Sequence, residues 1–196
     1  RILELMAKVL PELLAGFVQQ PDASEIERIR EEVGQLVTAF QEIAVEARRE
    51  RLVALASEPD PAPLSRTLLR LRDDLVMIGD AAMPLQSTFA QRLGPLLNRV
   101  GADASEFLLG SATALALRRH PASLHAIEAS LSAYDSAVTS LRNRGLTLAL
   151  SSREVERLFA LGFALEQLHR NFTDLTRCVQ EYAQGTGASF VDAPEN

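Results

Sequence analysis

Apolar residues in this chain recur in steps of three and four, and no stretch alternates in the manner of a half-buried strand bounded by hairpin turns. That periodicity confines the fold to packed helices. It is clearest at Ile26, Ile29, Val33, Leu36, Phe40, Ile43 and Ala47, which share one face while Glu27, Arg30, Glu31 and Glu42 fall on the wet side. The spacing predicts a long helix capped by Ser24 and running to about residue 57. Pro21 and Asp22 precede it, and Glu25 and Glu27 favour the positive end of its dipole. Pro59, Pro61 and Pro63 then predict a stiff extended link over 58–63, because each ring removes a backbone donor and biases its predecessor away from helix.

The same spacing predicts the other helices. Ile2 to Gln19 forms the first, with Pro11 as a kink. Leu64, Leu68, Leu71, Leu75, Ile78 and Ala82 mark the third, which Gly79 and Pro84 weaken or end. Residues 85–119 form a longer stretch that Gly94-Pro95 and Gly101 bend or divide. A fifth helix starts at Pro121 and Ser123 and runs to about Asn143, where Gly145 stops it. The last begins at Ser152 and carries a stripe from Val155 through Leu165 to Tyr182, with a second stripe at Phe159 and Phe163 that implies contact with more than one neighbour. The expected architecture is therefore an all-α antiparallel bundle of about six helices forming one domain over 1–196. A helical hairpin occupies 1–57, the remaining helices 64–184, and a flexible tail 185–196.

Composition narrows the function classes. At 196 residues the chain buries roughly 70% of its unfolded surface on folding and needs no disulfide staple. Hydrophobic residues at 47% and charged residues at 23% are ordinary for a soluble globular domain. The net charge of −6 argues against nucleic acid as a partner, since phosphate binding draws on clustered Lys and Arg. Glu4 and Lys8 interrupt the first apolar run, so it does not read as a signal peptide. No stretch approaches the ~20 apolar residues of a membrane span; the best run, from Phe107 to Leu117, contains Ser111 and Thr113. The opening at Arg1 and the polar ending suggest a piece of a longer protein.

Catalytic and metal chemistry find few residues. His120 and His125 are five apart across Pro121 and do not share a helical face, and no Cys or His-Glu motif completes a metal shell. His169 lies beside the apolar stripe of the last helix and reads as a hydrogen-bonded boundary residue. Cys178 reads as a small core hydrophobe between Leu175 and Val179. No phosphate-binding loop appears, and neither a catalytic residue nor a cofactor is expected. The densest polar cluster is Arg66, Arg70, Arg72, Asp73, Asp74 and Asp80 on the third helix. There Arg70 and Asp74, four apart, are placed to pair, and Arg66 and Arg70 line up to offer two guanidinium groups to a carboxylate. The cluster either orients its helix or docks an anionic ligand or another part of the parent protein.

This helix also carries a resemblance. Leu69-Arg70-Leu71-Arg72-Asp73-Asp74-Leu75-Val76-Met77-Ile78-Gly79, with Ala81-Ala82 and Pro84-Leu85 following, resembles a motif of the fusaric acid resistance family of bacterial inner-membrane efflux proteins, related to aromatic acid exporters. Val155 to Leu168 is similar to that family's last helix before its next membrane segment. Asp73, Asp80 and Gln86 depart from the motif, where the family has histidine, arginine and proline; Asp74 and Gly79 match it, and Gly79 and Pro84 are its structural positions. The resemblance implies a helical domain on the cytoplasmic side of the inner membrane, between two blocks of membrane helices. Its partners would be the transmembrane segments of its own parent, with a second copy of the chain and a small organic acid as further candidates. Such a domain would scaffold or couple the transporter, and residues near Ile2 and Tyr182 would lie at the same end of the bundle. The rival expectation is a ligand-sensing or protein-interaction bundle, with an apolar pocket for small aromatic acids and Arg groups at its mouth.

Overall fold

A computed structural model describes residues 1–18, 23–54, 59–82, 84 and 86–185. Among them the chain forms six α-helices and no strand: α1 (Ile2–Ala15), α2 (Ala23–Ala54), α3 (Pro61–Ala81), α4 (Ser87–Leu117), α5 (His125–Asn143) and α6 (Ser152–Gln184). One short 3-10 turn, Leu146–Ala149, joins α5 to α6. The expected all-α bundle is what forms.

Neighbouring helices run in opposite directions. Arg1 pairs with Glu32 and Lys8 with Glu25, so α1 descends as α2 rises. Six residues separate the end of α2 from the start of α3, while Arg30 packs against Gly79 near the far end of α3. Along α3 and α6, Thr67 meets Cys178, Arg70 meets Asp174 and Asp74 meets Asn171, again stepping oppositely. The start of α1 and the end of α6 consequently point to the same end of the bundle.

Several local expectations change. Pro61 and Pro63 are not part of an extended link: Asp60 caps α3 by accepting from the Ala62 amide at 3.0 Å, and both prolines sit in the first turn. Proline is suited there, because the amides of that turn have no helical acceptor. Residues 55–58, and with them the end of the expected long helix, lie outside the described residues, as do Pro21, Asp22 and the tail from 186. α2 already includes Ala23, which puts Ser24 inside its first turn rather than ahead of it. α6 does start at Ser152, but the cap is Ser151. Its hydroxyl accepts from the Glu154 amide while the Glu154 carboxylate accepts from the Ser151 amide at 2.8 Å. The Ser151 hydroxyl, donating to the same carboxylate at 2.7 Å, and then the Ser151 amide hold the Glu154 carboxyl below its ordinary range.

The largest change is in α4, which is one helix through Gly94, Pro95 and Gly101. Gly94 and Gly101 are contact points for α1 and the residues just after it. A Cβ on Gly94 would come within 2.9 Å of Val18, and one on Gly101 within 3.1 Å of the Pro11 backbone. Pro95 is exposed, so its ring meets solvent. Close helix approach outweighs the ~1 kcal/mol helix cost of each glycine.

The core joins all six helices in one cluster, with Phe17, Met6, Leu71, Ile78, Leu97, Leu108 and Phe172 among its most deeply buried side chains. Phe107 and Phe172 meet with ring centroids 4.9 Å apart, joining α4 to α6. The predicted face of α2 holds for Ile26, Ile29 and Val33, but Ile43 is 64% exposed. The later part of the helix turns Val37 and Ala44 inward instead.

Candidate functional site

The polar cluster of α3 faces two ways. Asp74 is buried at 2% exposure, and its Oδ2 accepts a 2.6 Å hydrogen bond from Asn171 Nδ2 on α6. Burial pushes its carboxyl up from 3.8 to about 6; the Asn171 bond opposes that shift and the Asp73 charge adds to it. Arg70 does not take Asp74 as its ion-pair partner. Its guanidinium reaches across to Asp174 at 2.7 Å and also donates to Thr67 Oγ1 at 3.3 Å. Arg72 pairs with Asp73 at 2.7 Å, and Arg66 and Asp80 lie exposed. Arg70 is thus engaged across to α6, while Arg66 beside it is exposed.

The two motif positions expected to be structural divide as well. Gly79 lies at a crowded crossing, where a Cβ would sit 3.3 Å from Leu13 and 3.6 Å from Arg30. Pro84 is exposed, beyond the end of α3, and Gln86 stands at the N-terminal edge of α4. Gln86 Nε2 donates to Glu154 at 3.3 Å, which links the α3–α4 connection to the start of α6.

The remaining candidates are dispersed. Cys178 is buried in the core, and that burial raises its thiol pKa. His120 is exposed, and His125 opens α5 with its backbone amide bonded to Ser123 Oγ. No group of three or more metal-binding side chains forms among the described residues. His169 is less satisfied than its boundary position suggests: its buried Nε2 has no hydrogen-bond partner, and Glu128 Oε1 lies 3.6 Å away.

A second place, which the sequence did not single out as a site, is a groove of about 650 Å³ between α5 and α6. Leu131, Val138, Leu158 and Leu165 contribute apolar lining, and Tyr134, Phe159, Phe163 and His169 border it. The second stripe of α6 is thus not a buried contact. Phe159 and Phe163 are 63% and 56% exposed, because α5 stands off from α6 along this stretch. Tyr134 is 5% exposed, and its hydroxyl has no hydrogen-bond partner. Burial, reinforced by the Asp135 charge, pushes the phenol pKa upward. The available signal was Gly162 set between two phenylalanines on an otherwise well-filled helix; Tyr134 carried none.

The fold and these two places define an all-α six-helix bundle with a locked polar seam and an open groove. No protein-family model, curated protein or solved structure matches the chain, so the efflux resemblance rests on its motif residues alone. No helix among the described residues is long and apolar enough to cross a membrane.

Proposed function

We propose that the bundle is the cytoplasmic scaffold or coupling domain of an inner-membrane efflux protein for aromatic or other organic acids. The observation that carries this reading is the common direction of the start of α1 and the end of α6, which attachment of both to one membrane requires. The motif residues support a structural part in that work. Asp74 is tied to Asn171, Arg70 to Asp174, and Gly79 is pressed against Leu13 and Arg30, so α3 is fastened to α6 on one side and packed on α1 and α2 on the other. Its partners are then the membrane helices of the parent, with conduction left to them.

The test uses the full-length parent gene and the accumulation of labelled benzoate in cells. Deleting the gene should raise accumulation. Arg70→Asp and Asp174→Arg should each reproduce part of that rise, and the double swap should restore export. Accumulation that is indifferent to the deletion overturns the reading.

A further inference from the structure

We infer that the groove between α5 and α6 is the face on which two copies of this chain pair, their α5 helices antiparallel about a two-fold axis beside Val138. Leu131, Asp135, Val138 and Arg142 follow one another in steps of four, three and four, so they share one face of α5, and all four line the groove. Glu128 lies beside His169 and Glu166 holds Arg170, which leaves Asp135 and Arg142 as the lining charges that make no ion pair among the described residues. Both are exposed. Seven residues of helix set them about 10 Å apart on the same side.

That arrangement is self-complementary. In an antiparallel pair of α5 helices centred between Val138 and Thr139, position 135 of each copy faces position 142 of the other, because the two positions stand equally far from the centre. One two-fold operation therefore gives every Asp135 an arginine and every Arg142 an aspartate, as an isologous contact requires. A parallel pair would instead set Asp135 against Asp135 and Arg142 against Arg142, a juxtaposition that disfavours it.

The apolar surface is centred on the same point. His169 of α6 stands level with Glu128 of α5, and the two helices run in opposite directions. Ten residues onward from Glu128 is Val138 and ten back from His169 is Phe159, so equal rise puts Phe159 at the height of the axis. Phe159 and Phe163 are mostly exposed rings, and between them Gly162 leaves a gap in which an added Cβ would meet nothing within 4 Å. In the pair, each α5 lies along the groove of the other copy and covers these rings. Removing them from water drives the association, while the two charge pairs fix its register. The inference needs only α5 and α6 and stands independently of the efflux reading, whose benzoate test it leaves untouched.

Sedimentation equilibrium of the 196-residue chain tests it. Between about 5 and 500 µM the chain should show a reversible monomer–dimer equilibrium that weakens with added salt. Asp135→Arg and Arg142→Asp each set like charges opposite one another, and each should raise the dissociation constant about tenfold or more. Both changes in one chain should restore it to within about threefold, and an equimolar mixture of the two single variants should pair as well. Phe159→Asp should abolish the dimer. These three side chains are exposed, so circular dichroism of every variant should remain helical. A chain that stays monomeric at every concentration overturns the inference and leaves the groove to a small ligand or a different protein. A dimer indifferent to Phe159→Asp and to the single charge changes overturns it by placing the contact on another face, and a double exchange no tighter than the singles overturns the antiparallel register.

Discussion

Asp74 shows how one buried carboxyl makes stability depend on pH. Folding raises its pKa from 3.8 to about 6, so the folded chain holds the proton more tightly than the unfolded one. Its contribution is full below pH 3.8 and is lost as the pH climbs through about 6. Asp74→Asn keeps an oxygen acceptor for Asn171 and removes the ionisation. It should stabilise the bundle at pH 7 by about 1 to 3 kcal/mol and flatten the loss of stability between pH 4 and 6, read from urea midpoints across that range. An unchanged slope would assign the dependence to another group. Gly145 is a second decisive residue, because the chain turns there with φ of +69°. Gly145→Ala forces a side chain into the left-handed region and should cost about 1 kcal/mol in the same assay. The glycine was legible as a helix stop in the sequence. The burial of Asp74 was not, since Asp73 and Asp74 are adjacent and chemically alike, and only the approach of α6 separates them.

At the scale of elements, helix ends were the least legible feature, and the reasons are local. Three prolines in five residues read as an extended link, yet Asp60 supplies a cap and turns Pro61 and Pro63 into the opening of α3. The spacing starts α6 at Ser152, as found, and the capping box sits one residue ahead of it, at Ser151 with Glu154. Ser151→Ala should destabilise the chain by about 1 kcal/mol in chemical denaturation, whereas Ser152→Ala should change it by less than about 0.5 kcal/mol. Equal losses at the two serines would put the cap elsewhere. In α4, Gly94, Pro95 and Gly101 look like breaks because local propensity is all that a sequence window displays. The service of Gly94 and Gly101 as contacts for Val18 and Pro11 depends on α1 and the residues just after it, some eighty residues away in the chain, while Pro95 turns its ring to solvent.

For the whole molecule, burial decides what each substitution does. Leu75 and Leu165 belong to the shared core at 3% and 2% exposure. Replacing either with Ala should cost roughly 2 to 5 kcal/mol in equilibrium unfolding, the upper end marking sites that cannot collapse around the void. Ile43→Ser, on a face of α2 open to solvent, should stay within about 0.5 kcal/mol although the periodicity places it with the core positions. The three-four spacing by itself determined that this chain is a helical bundle, because such a pattern can be hidden from water only by packing helix on helix. Which polar residues cross to a neighbour, which apolar stripe stays wet, and where a groove opens were decided by the tertiary structure. Periodicity states that a face is apolar, but how closely a second helix can approach it depends on residues far away in the chain.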